Sequence, residues 1–545
     1  MSKRFTEHDR LDLTKTNEEV LAEWEKNDIF HKSIDEREGC PKFIFFEGPP
    51  SANGHPGIHH VLARSIKDTF NRYKTMQGFQ VKRKAGWDTH GLPVEINVEK
   101  ELHITKKDIG TKISVEEYNR RCHEDVMKFT KEWDELTKKM GYFVDLEHPY
   151  VTYHNKYIET LWWLLKQLYN KGLLYKGYTI QPYSPADGTG LSSHELNQPG
   201  CYRDVKDTTV TAQFLITDPK AEWTKCGKPY FLAWTTTPWT LPSNTALCVG
   251  PKIDYVVVES YNPYDGEPLT AVIAESRLNA YFDEKQEVKD GAALPAFDKE
   301  KKLCPWRIID RMKGTDLVGL HYQQLMPWVK PCEKVSQYSH QFVNDYAQAH
   351  PDKVFASEDG RDQFVEMESE AFRVIPGDYV TTEDGTGIVH IAPTFGADDA
   401  KVAKDAKIPA LYLISKQGET RPMVDLQGKY YVLDDLDANF VAQCVDKDAY
   451  SHHAGDYVKN AYDPRFNVDG QWDRKASEKA DDLNIIICME MKQEGTAFKI
   501  QKMVHNYPHS WRTDKPILYY PLDSWFIRDT AKKAEMVALN KTIHW

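Results

Sequence analysis

The sequence predicts an α/β architecture interrupted by a large β-rich insert, and three observations carry that prediction. In the first 200 residues, apolar strand-like runs end at Gly-Pro or Gly-bounded loops and give way to helix-period segments. From about 201 to 436, short β-branched strands are separated by Pro, Gly and Asn. After a polar stretch, the α/β texture returns at about 483.

The elements follow in order. Over residues 17–30, "NEEVLAEWEKNDIF" places Val20, Leu21, Trp24 and Ile29 on one face with acids in the first turn, which predicts a docking helix. "KFIFFEGPP" reads as a buried strand stopped by a sharp turn. Ile58, Leu62, Ile66, Phe70 and Tyr73 then recur at helical spacing until Gly78. "FQVKRKAGWDTHGLPVE" gives a second strand whose end carries Trp87, Asp88 and His90. Tyr118, Cys122, Val126, Phe129, Trp133, Leu136 and Met140 predict one long amphipathic helix capped by Gly141, and another follows around 157–169. In the insert, "TTVTAQFLI", "PYFLAWTTTPW", "TALCVG" and "DYVVVES" read as strands, with "GKYYVLDDL" as the last clear one. Residues 437–482 form a polar connector without a clear pattern, and "LNIIICMEMKQEGTAFKI" and "PILYYPLDSWFI" resume the α/β alternation through 483–545.

With 545 residues the chain exceeds a single ordinary core, and 41% hydrophobic with 28% charged residues is a normal globular balance. The net charge of -12 means that a polyanion must be held by a local basic surface and not by the overall field. Nine cysteines without a C-x-x-C pair, and an N-terminus without an apolar signal core, fit a reducing cytoplasm with no Cys-based zinc knuckle. No apolar run approaches the roughly 20 residues of a membrane span; "LWWLLKQLY" is broken by Lys166.

The chemistry gathers in "GPPSANGHPGIHH". A helix N-terminus offers unpaired N–H groups and the positive end of its dipole, which suits a phosphate. His59 and His60 add donors that can follow developing charge, while Gly54 and Gly57 let a ligand approach the backbone. Two histidines at a helix start also serve simply as cap and packing. "GWDTHGLPVE" adds an acid and a histidine at the end of a neighbouring strand, where open α/β sheets bind ligands.

Taken together and in this order, "GPPSANG…GIHH", "KAGWDTHGLPVE", "AWTTTPWTLPSN", "GTGIVHIAPTFGADD" and "YPHSWRTDKPILYYPLDSWFI" resemble the N-terminal part of the isoleucyl-tRNA synthetases, a family of class I aminoacyl-tRNA synthetases. The resemblance runs from about residue 17 to the C-terminus. It implies a class I Rossmann-like catalytic domain, with 1–200 as its first half, 201–436 as an editing insert, 437–482 as connector and 483–545 as the start of the second half.

By that resemblance, Gly48, Pro49, Gly54, Gly57, Ile58, His59 and His60 would bind ATP, and His59 and His60 would be catalytic. The family's His-Ile-Gly-His tetrad reads Gly57-Ile58-His59-His60 here, so the final histidine is His60 and the first is a glycine. Either His59 or His55 supplies the missing imidazole, or the site is impaired. Asp88 would receive the α-ammonium of the amino acid, with Pro50 and Trp525 in its side-chain pocket. The implied partners are L-isoleucine, tRNA(Ile) and ATP with Mg²⁺, on a monomer without membrane attachment. Zinc in the full-length family has no identifiable ligands in this sequence.

An apolar pocket prefers isoleucine over valine by only about 1–3 kcal/mol, a limit for which isoleucyl enzymes are themselves the reference case. A second hydrolytic sieve answers that limit. The resemblance assigns it Thr235, Thr236, Thr237, Asn244, His390 and Asp399, with Asp399 anchoring the substrate ammonium. The family's Lys-Met-Ser-Lys-Ser signature is absent, so the expectation for the chain alone is little adenylate formation. A freestanding deacylase and a non-catalytic amino-acid-binding relative stay open as alternatives. No G-x-S-x-G elbow, Walker loop or H-E-x-x-H helix points to another mechanism.

Overall fold

The computed structural model describes residues 10–104, 106–289, 292–336, 339–468 and 471–543. Most of the N-terminal stretch read as lacking a signal core therefore lies outside the described residues. The chain divides into two compact units, residues 1–175 with 526–545, and residues 176–525.

The first unit holds helices α1 (Leu13–Lys26) and α2 (Ile29–Asp35), strand β1 (Lys42–Phe46), α3 (Ile58–Met76), β2 (Gln80–Trp87), α4 (Leu92–Leu102), α5 (Val115–Val126), α6 (Thr130–Lys139), β3 (Asp145–Val151) and α7 (Asn155–Asn170). The three strands pair in parallel in the order β1-β2-β3, as strand–helix–strand alternation requires. Asp12 caps α1 through Lys15 N–H, and Trp24 sets its ring edge-on to Phe143 at 4.8 Å.

The predicted long helix is two helices. Phe129 leaves helical geometry and donates its N–H to Ala52 O at 2.9 Å, and one turn later Trp133 Nε1 donates to Gly54 O at 2.9 Å. The helical period runs unbroken through this join because Phe129 and Trp133 both still face inward, so only the tertiary bonds reveal the break. α3 also departs from its apolar pattern. Ile58, Leu62, Ile66 and Phe70 are exposed, while Arg64, Asn71 and Thr75 are buried, where Asn71 O accepts from the buried Arg83 of β2 at 3.2 Å.

The second unit centres on a nine-stranded sheet. Its main path runs Arg307–Lys313, Asp254–Tyr261, Pro268–Ala274, Lys228–Thr235, Ile388–Ile391, Ala246–Val249 and Arg373–Pro376, with Tyr202–Leu215 pairing both Lys228–Thr235 and Ala497–Pro508. The alternating Val, Phe and Ala positions pack inward: Val210, Phe214, Phe231, Val257 and Val272 are fully buried in one core. This is an α/β fold carrying a β-rich insertion.

"GKYYVLDDL" is not a strand. Gly428 turns at φ +79°, Tyr430 O accepts Gly455 N–H at 3.0 Å, and Leu433–Asp435 is a short 3-10 turn, so its backbone partners are loops and no ladder forms. Residues 437–482 hold the helices Ala438–Cys444, Lys447–Ser451 and Arg474–Lys479, with Phe440, Tyr450 and Val458 in the same core. All nine cysteines are free.

Candidate functional sites

In the first unit, the loop 48–57 is fixed through its carbonyls. Besides the bonds from Phe129 and Trp133, Pro50 O accepts the N–H of Asp88 at 3.0 Å, which joins the ends of β1 and β2. Gly57 is the N-cap of α3 in extended geometry, and its N–H donates to His60 Nδ1 at 2.9 Å. That bond makes Nδ1 the acceptor, so the neutral ring carries its proton on Nε2. Burial, with His59 and Arg64 beside it, lowers the pKa of His60 and keeps it neutral. His60 is thus a fixed neutral donor at a helix N-terminus.

The His59 ring lies over Gly57 and against His60, with ring centroids 3.8 Å apart; a Cβ on Gly57 would sit 2.7 Å from it. A side chain at position 57 and an imidazole at 59 in this pose therefore exclude each other. His55 instead bonds Glu132 at 2.8 Å through Nδ1 and packs on Phe129 at 4.1 Å. Arg64 stacks over Trp133 at 4.9 Å, and Lys67 pairs with the buried Glu47, which also accepts the hydroxyl of Tyr142. Gly48 lies beside this cluster, its missing Cβ 3.7 Å from Lys67 Nζ. Pro49 follows Gly48 in the loop, Ile58 is 84% exposed, and Gly54 has open space at its Cα. Asp88 is exposed beyond β2 and accepts the N–H of His90 at 3.5 Å. In the second unit, Trp525 stands 61% exposed on the strand Leu518–Ile527.

The second unit gathers the other candidates into one place. Thr235 ends the strand Lys228–Thr235, and Ile388–Ile391 runs beside it with Val389 opposite Trp234. That register brings His390 to the threonines. A cavity of about 330 Å³ is lined by Thr235, Thr236, Thr237, His390 and Asp399, together with Thr240 and Tyr379.

The hydrogen bonds assign the His390 tautomer. Asn244 Nδ2 donates to Ala246 O at 2.9 Å and to His390 Nδ1 at 3.2 Å. Nε2–H then donates to Thr240 Oγ1 at 3.0 Å, whose hydroxyl donates to Thr237 O at 2.8 Å. Burial pushes the His390 pKa down to about 4. Asn244 does not line the cavity but sits behind His390, its Oδ1 accepting the Tyr322 hydroxyl at 2.6 Å. Asp399 lies in the first turn of the helix Ala397–Asp405, and its Oδ2 accepts Ala392 N–H at 2.9 Å. Burial, opposed by that bond and aided by Asp398, pushes its carboxyl up to about 6.

Sequence reading missed Thr240 and Tyr379. Thr240 lies inside the quoted Thr-rich motif, and the 3-10 turn Pro238–Ser243 was the missing signal, because it folds position 240 back onto 237. Tyr379 carries no local signal and arrives by tertiary folding alone.

A helix-capped loop at the end of a parallel sheet, with a β-rich insert carrying its own polar cavity, defines a class of protein, and the comparisons agree. The family profile of the class I tRNA synthetases (I, L, M and V) matches residues 19–545, and the chain belongs to that family. Within it, the chain is 63% identical over 545 residues to the isoleucine–tRNA ligase of Bacteroides thetaiotaomicron. It is 58% identical over 546 residues to that of Porphyromonas gingivalis. It is 38% identical over 527 residues to that of Clostridium tetani, covering 97% of this chain and 39% of the relative. The chain spans 44% of the length of the first two relatives, which match all of it. Among the described residues, no helix is long and apolar enough to cross a membrane.

Proposed function

We propose that the chain carries the amino-acid-activating loop and the editing cavity of an isoleucine–tRNA ligase. In activation, a carboxylate oxygen of L-isoleucine attacks the α-phosphorus of ATP, the bond to pyrophosphate breaks, and isoleucyl-adenylate forms for transfer to tRNA(Ile). The neutral His60, donating from Nε2, and the N–H groups opening α3 would meet charge on the triphosphate. His59 is the imidazole that replaces the family's first histidine, because His55 is held by Glu132 while His59 lies over Gly57. Asp88, having no cation partner among the described residues, is the anchor for the α-ammonium, with Pro50, whose carbonyl accepts its N–H, beside it.

ATP would be used with Mg²⁺, whose charge would offset that of the phosphates. Among the described residues, no group of three or more His, Cys, Asp or Glu side chains gathers that could hold an ion. We assign little adenylate formation to these 545 residues alone, since the second catalytic signature is not among them.

The second activity is hydrolysis of Val-tRNA(Ile). Water attacks the ester carbonyl carbon, the bond to the terminal ribose oxygen breaks, and that oxygen takes a proton. Asp399 binds the valyl ammonium, and the Thr235–Thr237 hydroxyls orient the ribose and the water. His390 is neutral with both nitrogens engaged, so its part is to hold Thr240 and the threonine loop and not to abstract a proton. The observation that carries this reading is the convergence of the threonines, His390 and Asp399 on one cavity. Its test is valine release from charged Val-tRNA(Ile) by the 545-residue chain, with Asp399→Ala as control. Release that the control abolishes supports the reading, and release that the control leaves intact refutes it.

A further inference from the structure

His453 is 4% exposed, and its two ring nitrogens face carboxylates on two different elements. Nδ1 stands 3.0 Å from Asp456 Oδ2, and Nε2 stands 2.9 Å from Glu490 Oε2. A neutral imidazole carries one N–H, so in that state one contact would set a lone pair against an anion. Only the imidazolium donates to both. The Trp328 indole covers the ring, stacked at 5.1 Å. The charged groups facing His453 are thus Asp456 from its own turn and Glu490 from the helix Leu483–Gln493, with the uncharged face of Trp328 closing the third side. Burial opposes the charge, and the two carboxylates outweigh it, so His453 titrates above its ordinary value.

The supports of these two carboxylates grip the same residue of the threonine loop. The helix bearing Glu490 also bears Asn484, whose Oδ1 accepts Trp239 N–H at 3.2 Å. On the other side, Asp456 O accepts Tyr430 N–H at 2.9 Å, and the Tyr430 hydroxyl donates to Trp239 O at 2.5 Å. Trp239 lies between Thr237 and Thr240, and its ring meets Phe395 of the cavity wall edge-on at 4.9 Å. His453 therefore closes a ring of contacts: Glu490, the helix, Asn484, Trp239, Tyr430, Asp456.

We propose that His453, as an imidazolium, is a positioning residue that clamps together the two supports of Trp239 and so holds the threonine loop in the geometry that hydrolysis needs. The functional half of this statement rests on the hydrolytic reading of the cavity. Loss of the proton removes one of the two donors, frees the helix Leu483–Gln493 from the 447–456 turn, and loosens the loop between them.

The test uses the 545-residue chain as wild type, His453→Gln and Glu490→Gln. Amide hydrogen exchange over residues 237–244, corrected for the intrinsic pH dependence of exchange, is followed from pH 6 to 9.5 beside the NMR titration of the His453 ring. Wild-type protection should fall about tenfold as the ring loses its proton, as expected of a locally opening segment. In Glu490→Gln the step should move to lower pH, and in His453→Gln protection should be low and flat. Val-tRNA(Ile) hydrolysis should follow, with kcat lowered and KM little changed. Protection that stays constant while His453 titrates overturns the clamp. Hydrolysis that is insensitive to Asp399→Ala overturns the hydrolytic reading instead, and leaves the exchange experiment to decide the clamp.

Discussion

Asp399 Oδ2 accepts the backbone N–H of Ala392 at 2.9 Å, which turns the carboxylate away from capping its own helix and towards the cavity wall. Burial outweighs that bond, so the group loses its proton only at about 6. Binding of an ammonium requires the ionised form. KM for Val-tRNA(Ile) hydrolysis should therefore rise severalfold as pH falls from 7.5 to 5, and steady-state kinetics across that range with Asp399→Asn as control would show it.

The same shift predicts a stability effect. A carboxyl raised above its unfolded value of about 3.9 favours the fold when protonated, and that contribution is lost as pH rises through about 6. Asp399→Asn should be inactive in hydrolysis yet more stable than wild type at pH 7.5, by on the order of 2 kcal/mol, with the difference vanishing near pH 4. Urea melts at the two pH values measure it.

His390 has the opposite sign. A histidine lowered from about 6.5 to about 4 favours the fold when neutral, so its contribution is complete above 6.5 and is lost as pH falls towards 4. Its ring resonances should not titrate between pH 5.5 and 8, and His390→Gln should lose less stability than wild type over pH 6.5 to 4. A ring that titrates near 6.5 would contradict the assigned tautomer chain.

Thr240 links that chain to the loop backbone. Thr240→Val keeps the volume and removes both the acceptor for His390 and the donor to Thr237 O, so it should cost about 1–3 kcal/mol for the unpaired groups. Thermal melts report the cost, and deacylation should slow with it, whereas Thr240→Ser should retain most of both.

In the first unit, Trp133 ties α6 to the loop 48–57 and packs against His60 at 4.7 Å. Trp133→Ala should destabilise this unit by about 3–5 kcal/mol, and Trp133→Phe should cost less by keeping the ring while losing the bond to Gly54. In a full-length protein, ATP–pyrophosphate exchange should fall about 10²- to 10³-fold in His60→Ala, and clearly in His59→Ala but not in His55→Ala. An unchanged His59 variant would overturn the role assigned to that ring.

Much of this was legible because periodicity and punctuation are local. The strand before Gly48, the helix after Gly57 and the strand carrying Thr235 follow from side-chain spacing and turn residues within a dozen positions. The break at Phe129 was not legible, since its cause is a hydrogen bond to Ala52, 77 residues earlier. "GKYYVLDDL" misled because alternation shows which side chains are buried and not where the backbone bonds go, and those of Tyr430 go to the 455–456 turn.

The sequence by itself determined the α/β class with its β-rich insertion, the family and the threonine, histidine and aspartate positions that line the cavity, because these depend on motifs whose members are close along the chain. Tertiary structure alone decided that His390 faces Thr240 across 150 residues and is neutral, that Asp399 holds its proton until about 6, and that Thr240 and Tyr379 join the cavity. The physical reason is that protonation state and hydrogen-bond partner are set by burial and by which distant groups arrive, and strand register across the sheet fixes both.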